Sequence, residues 1–315
     1  LVDLLERLLQ QAGVERADCG GAAVDFAAGW KGGWEGRQCP WTHGLAPRGV
    51  TEAPRWEGGP LRGRRLLLFA EQGHGDMIQF ARFLRPALRR AAGRVAIEIH
   101  PSLRRLFAAN VPEAEVLPIG AAPPPHDVAL PIASLPGLLG LGARVGRGGR
   151  YLRPPALGRP PERGPLRVGL CWRGAPSPPG RSAPLAALLP LVAVPGVRLV
   201  SLQKGGAAEI AGAGAASAIE DRSAARPDFA GDAEEIAGLD LTISIDTAIA
   251  HLAGALGRPV WTMLGARPDW RWPAAGAATP WYPSMRLFRL GAEGWPAMAR
   301  EVAAALAGLA PRERS

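Results

Sequence analysis

Two short stretches of this sequence hold residue types and spacings suited to group-transfer chemistry. The first is Gly73-His74-Gly75-Asp76, preceded by Glu71-Gln72. Two glycines permit a tight turn with positive φ, and Asp76 stands where a helix should begin. A carboxylate there has two readings. It N-caps the helix, or it serves as a general base that takes a proton from an acceptor hydroxyl. The glycines do not form a dinucleotide fingerprint, which needs a third glycine and a later acidic residue. The second stretch is Asp246-Thr247-Ala248-Ile249-Ala250-His251. A helix that starts directly after a strand presents free N–H groups and the positive end of its dipole, a natural seat for a diphosphate. Small residues let a ligand approach the first turn, and His251 lies one turn in, able to donate to a phosphate oxygen. The plainer reading makes Asp246 or Thr247 a cap and His251 a core residue.

Cations of the right kind accompany these stretches. Arg173, Arg181 and Lys204 are candidates to neutralise a departing diphosphate, which without a metal calls for cations or helix ends. Lys204 stands out because the only other lysine is Lys31, and because Gln203 precedes it and Gly205-Gly206 follow. Glu71, His74 and Ser134 complete the polar set as candidates for the acceptor side.

The elements that must position these groups follow a strand–helix alternation, the mark of parallel sheet. Strands are expected at 65–70, 95–100, 114–117 and 127–131, with helices at 77–92 and 102–109. A Pro/Gly-rich linker spans 153–165. A second alternation follows, with strands at 166–172, 197–203, 241–245 and 259–263. Its helices are expected at 184–194, 232–238 with Asp232 as cap, 247–256 and 293–309. An aromatic loop over 267–283 carries Trp270, Trp272, Trp281 and Tyr282, read as packing residues. Residues 1–60 lack the alternation. They read as a helical and loop-rich extension, with helices at 1–12 and 22–34. The expectation is therefore three parts: an extension over 1–60, an α/β unit over 61–155 and a second over 164–315. In parallel sheets ligands bind beyond the carboxyl ends of the strands, and Glu71 to Asp76, Ser134, Arg173, Gln203, Lys204, Asp246 and Thr247 fall at such ends.

Bulk properties narrow the function. At 315 residues and 47% apolar composition, two cores are affordable. No apolar run reaches the roughly 18 residues of a membrane span. The net charge of +9 comes from arginines scattered over the whole chain, without aromatic or zinc-finger signatures, so nucleic acid is not an expected partner. Three widely spaced cysteines, Cys19, Cys39 and Cys171, form neither a disulfide framework nor a zinc site. Cys171 reads as core, and a reducing cytoplasm fits. The chain opens on an amphipathic Leu-rich stretch rather than a signal peptide, and on Leu rather than Met, as a piece of a longer protein would.

The motifs EQGHGDMIQFARFL (71–84), RVGLCWRG (167–174), RSAPL (181–185), LVSLQKG (199–205), DFAGDAEEIAGLDLTISIDTAIAHLAGALGRPVW (228–261), PDWRW (268–272) and PWYPSMRLFR (280–289) carry a family resemblance. From Trp56 to Leu306 the chain resembles the glycosyltransferase domain at the C-terminal end of bacterial tetratricopeptide-repeat proteins. That domain is similar in turn to the heptosyltransferases of glycosyltransferase family 9. The resemblance implies a GT-B fold, in which two Rossmann-like domains with parallel sheets face each other. It also implies no metal or other cofactor, and inversion at the anomeric carbon. By the same resemblance Asp76 matches the catalytic base, and Arg181 falls where the heptosyltransferases place a phosphate-binding lysine. Gln203 and Lys204 parallel the Gln–Lys pair of the protein O-GlcNAc transferases. Asp246, Thr247 and His251 match the donor-binding segment. His74 departs from a frequent leucine, Ala248 from the heptosyltransferase glycine. Residues 18–41 look like a last helical repeat.

The expected function is transfer of a sugar from a nucleotide-sugar donor to a hydroxyl of a protein or glycan precursor. Two other classes share the fold: a binding or scaffold module without turnover, and a sugar-nucleotide epimerase. An epimerase would act on the donor alone.

Overall fold

The computed structural model describes residues 51–139, 149–156, 164–176, 180–269, 271–273 and 275–309. The helices expected at 1–12 and 22–34, Cys19, Cys39 and Trp270 lie outside them. The chain forms two compact units. The first runs through Pro155 and also takes in Asp269–Gly276; the second comprises Ala156–Pro268 and the chain from Ala277 onward.

In the first unit the order is β1 (Arg65–Phe69), α1 (His74–Phe80), α2 (Leu84–Ala91), β2 (Arg94–Ile99), α3 (Arg104–Asn110), β3 (Glu115–Pro118), β4 (Val128–Pro131) and α4 (Leu135–Leu139). The four strands pair in parallel in the order β3-β2-β1-β4. Leu66 to Phe69 of β1 are buried, as a parallel strand covered on both faces requires. The single helix expected at 77–92 is two helices joined by a tighter turn over Ala81–Phe83. Pro86 is one reason, since it has no N–H to give the carbonyl of Arg82. Residues placed in the N-terminal extension belong to this unit. Arg55 bridges to Ala129, the Trp56 N–H donates to the Ala129 carbonyl at 3.0 Å, and the Trp56 ring is fully buried.

In the second unit the order is β5 (Leu166–Cys171), a seven-residue 3-10 helix (Leu185–Leu191), β6 (Val197–Ser201), α5 (Ala207–Gly212), β7 (Ile219–Asp221), α6 (Phe229–Ala237), β8 (Leu241–Ile245), α7 (Ala248–Ala255), β9 (Val260–Leu264), β10 (Met285–Arg289) and α8 (Gly294–Ala307). Six parallel strands run β10-β9-β8-β5-β6-β7. Pro190 lies inside the 3-10 helix, which explains why the α-helix expected there does not form. α6 starts three residues earlier than expected. Asp228, not Asp232, caps it by accepting the Gly231 N–H at 2.9 Å. Sequence patterning did not reveal α5, β7 or β10. The first two fall in an Ala/Gly-rich stretch without periodicity.

α7 is buried along all but its first residue and packs on β8, β9 and α6. Its small residues make that possible. A Cβ at Gly254 would lie 2.4 Å from Cδ1 of the Tyr282 ring, a ring itself 1% exposed. Gly254→Ala is therefore expected to cost about 1–3 kcal/mol by overpacking. Chemical denaturation checks this, and a midpoint equal to that of the parent would show that the ring has room to retreat.

Candidate functional site

The polar residues singled out by sequence stand at the carboxyl ends of the strands: Glu71 beyond β1, Ser134 beyond β4, Arg173 beyond β5, Gln203 and Lys204 beyond β6, Asp246 and Thr247 beyond β8. The two units carry separate groups of them.

In the first unit Asp76 is the third residue of α1, so it does not cap the helix. The helix starts at His74 and its N-cap, Gly73, is extended at φ −68°, ψ 170°, without a side-chain cap bond. The positive φ expected of these glycines is absent. Gly73 lies beside the carboxylate, where a Cβ would make an ordinary contact of 3.4 Å with Asp76 Oδ2. Arg271 Nη2 donates to Asp76 Oδ1 at 2.7 Å. Its Nη1 donates to Gln79 Oε1 at 2.8 Å, and its Nε to Asp269 Oδ1 at 2.8 Å. Sequence reasoning missed Arg271 and Gln79. The two partners Asp76 and Arg271 are 195 positions apart, and no spacing rule joins them; only the PDWRW motif marked the segment.

Glu71 and His74 flank this carboxylate. Glu71 Oε1 accepts the Ala133 N–H at 3.1 Å, fixing the turn that contains the buried Ser134. Oε2 is buried without a hydrogen-bond partner. Burial, helped by the charge of Asp76, pushes the Glu71 carboxyl up to about 8, against backbone hydrogen bonds that favour the ionised form. The His74 ring stacks on His100 with centroids 4.4 Å apart. Burial and the charge of His100 lower its pKa, so His74 is neutral at pH 7. His100 Nε2 meets the Gln72 carbonyl at 2.7 Å.

In the second unit, Thr247 caps α7. Its Oγ1 accepts the Ile249 N–H at 3.3 Å and shares a hydrogen bond with Ser244 Oγ at 3.0 Å. A Cβ at Gly174 would lie 3.1 Å from Arg181 Nε and 3.4 Å from Thr247 Cγ2. Gly174 thus lets Arg181 and the cap of α7 come together. Inside the first turn, His251 Nε2 lies 3.9 Å from Asp246 Oδ1, and its Nδ1 meets the Tyr282 hydroxyl at 2.8 Å. Trp272, Trp281 and Tyr282 are buried, as read, but Tyr282 also hydrogen-bonds the candidate donor-binding residue His251.

Gln203 and Lys204 point elsewhere. Gln203 Oε1 accepts the backbone N–H groups of Arg173 at 2.8 Å and Trp172 at 3.3 Å, which fixes the end of β5. Arg173 Nε pairs with Glu209 Oε1 at 2.7 Å, and Trp172 Nε1 donates to Glu209 Oε2 at 2.7 Å. The Lys204 ammonium lies 3.2 Å from Asp232 Oδ1 and donates to the Arg226 carbonyl. Arg226 Nε also lies 3.2 Å from Asp232. Burial raises the Asp232 pKa while Lys204 and Arg226 pull it down. Cys171 is core, its thiol pushed up to about 11 by burial. Among the described residues no three His, Cys, Asp or Glu gather as metal ligands, and no helix is long and apolar enough to cross a membrane.

Glu71 has a consequence for stability. Its ordinary value is 4.5 and its folded value about 8, so between these limits the folded chain holds a proton that the unfolded chain has lost. Stability therefore falls as pH rises from about 4.5 to 8 and levels off above. Glu71→Gln keeps the acceptor for Ala133 and removes the titration. Its stability relative to the parent should grow across that window, by a few kcal/mol at about 1.4 kcal/mol per unit. Denaturation at pH 5 and pH 8 tests it; an equal difference at both would contradict a buried, protonated Glu71.

Comparison with known proteins places these units. Residues 197–303 match the model of glycosyltransferase family 9 (heptosyltransferase). Protein FlbA of Caulobacter vibrioides is 31% identical over 310 residues, covering 85% of this chain and 50% of FlbA. The chain thus spans half the length of that relative. Among solved structures, the E. coli heptosyltransferase WaaC with ADP-2-deoxy-2-fluoro heptose has a TM-score of 0.55 at 14% identity, over 78% of this chain and 100% of WaaC. E. coli ADP-heptose lps heptosyltransferase II gives 0.53 at 16% identity, over 78% and 99%. A family 9 glycosyltransferase from Veillonella parvula gives 0.55 at 11%, over 78% and 96%. Such identities speak to fold, and the fold is α/β with parallel sheets. Over residues 197–303, then, the chain resembles glycosyltransferase family 9 (heptosyltransferase), on a fold shared with heptosyltransferases of known structure.

Proposed function

We propose that the chain is an inverting GT-B glycosyltransferase that moves a sugar from a nucleotide-sugar donor to a hydroxyl of a protein or glycan precursor. One observation carries the reading. A carboxylate in the first turn of α1, at the end of β1, is held by an arginine with one oxygen beside a glycine. The family match on the second unit supplies the context. The acceptor hydroxyl oxygen attacks the anomeric carbon as its proton passes to Asp76. The bond from that carbon to the diphosphate oxygen breaks, and the electron pair leaves with the diphosphate. The N-terminus of α7, the Thr247 hydroxyl and the Arg181 guanidinium are the groups we assign to that charge. His251, oriented by Tyr282 and Asp246, adds a hydrogen bond to the donor. In this reading side chains and a helix end do the neutralising, and no metal or other cofactor is required. Glu71, His74 and Ser134 shape the acceptor side, Glu71 and His74 as uncharged groups. Gln203 and Lys204 act indirectly, by fixing the end of β5 and pairing with Asp232.

The WaaC structures with ADP and with ADP-2-deoxy-2-fluoro heptose make ADP-heptose the first donor to test and ADP the first nucleotide. A thermal-shift screen of UDP, ADP, GDP, CMP and their sugar conjugates, with and without magnesium, should give a metal-independent shift for one nucleotide. No shift with any would count for the scaffold reading. Asp76→Asn should lower transfer by about 10²–10⁴-fold and leave the nucleotide shift unchanged. Unchanged turnover would remove Asp76 as the base, and donor breakdown without an acceptor would point to epimerase-type chemistry.

A further inference from the structure

We propose that Arg271 is the positioning residue of the Asp76 carboxylate: it binds Oδ1 and turns Oδ2 toward the acceptor hydroxyl. The inference rests on Asp76 being the base. Three acceptors in three directions hold the guanidinium. Asp269 binds Nε at 2.8 Å, and its Oδ1 also accepts the Arg271 backbone N–H at 3.2 Å, so the arginine is anchored in its own turn. The buried Trp272 follows and donates its N–H to the Asp269 carbonyl at 3.0 Å. From that anchor Nη1 reaches Gln79 and Nη2 reaches Asp76. These two residues are three apart on α1, hence on one face of the helix. Gln79 is fully buried, so the contact at Nη1 is fixed, and it fixes the angle at which Nη2 meets the carboxylate.

The geometry separates the two oxygens of Asp76. Oδ1 is occupied by the guanidinium. Oδ2 lies next to Gly73, where a side chain would begin 3.4 Å away and where the residue is exposed. An aspartate on a helix otherwise rotates among staggered χ1 wells, and only some of these present an oxygen to a substrate. Arg271 selects one. A structural staple would not need this arrangement. Gln79 alone would tie the 269–276 segment to α1, whereas the shortest of the three contacts, 2.7 Å, is spent on the solvent-accessible carboxylate, 23% exposed.

The test uses the full chain with Arg271→Met, Arg271→Lys and Asp76→Asn, each checked for parent-like melting. ADP-heptose turnover and 13C-carboxyl NMR at pH 7.5 are read side by side, with Asp76→Asn assigning the Asp76 resonance. In Arg271→Met, kcat should fall roughly 10- to 100-fold, the scale of a misplaced reacting group, with the donor KM within about twofold. The Asp76 resonance should move or broaden. Arg271→Lys, which keeps charge but not the fork, should recover part of both. An unmoved Asp76 resonance in folded Arg271→Met overturns the inference, whether or not ADP-heptose is the donor. So does parent kcat in Arg271→Met while Asp76→Asn is inactive. Full activity in Asp76→Asn instead brings down the base assignment and leaves the NMR result to judge the clamp.

Discussion

A central strand of a parallel sheet covered on both faces has no water in which to hold a charge. β8 and β9 are buried at every residue, and the exception in β5 shows the rule. Arg167, 4% exposed, stays within the sheet because Glu235 meets it at 3.0 Å and the Gly238 carbonyl at 3.1 Å. Polar chemistry is pushed to the carboxyl ends of the strands, where helix starts and loops meet solvent. Glu71, Gln203 and Asp246 all stand there. The site is a consequence of where the sheets permit polarity, and the families that share the fold build on the same edge.

That constraint also decided what the sequence made legible. Buried strands read as short apolar runs, so β1 to β6, β8 and β9 were visible, and with them the residues that follow each one. Local signals failed where tertiary partners decide. Asp232 looks like a cap, yet the cap is Asp228, and Asp232 is a buried counter-ion for Lys204 and Arg226. Lys204 was singled out by its rarity; rarity says nothing about which way an ammonium turns. The glycines of Gly73-His74-Gly75 promised a left-handed turn, yet neither adopts a positive φ. Arg271 was hidden by distance along the chain.

The chain handles its buried ionisable groups in three ways. Asp232 keeps two cations beside it. Glu71 has no cation and holds its proton instead. His74, stacked on a second imidazole, gives its proton up. The last two place neutral, polar groups near Asp76, whose charged partner is Arg271, a guanidinium that Asp76 shares with Asp269.

The first unit is not one continuous stretch of sequence. Asp269–Gly276 belongs to it, although the strands on either side of that segment, β9 and β10, are in the other sheet. This limits how the gene can be cut and rejoined. A crossover near residue 156, where the Pro/Gly-rich linker invites one, would import a new second half together with a new partner for Asp76. Exchange of second units among related chains is thus tied to the Asp76 site through one loop. Hybrids that keep an arginine at that position will inherit an intact carboxylate geometry, and hybrids that lose it will fold around an aspartate with no fixed orientation.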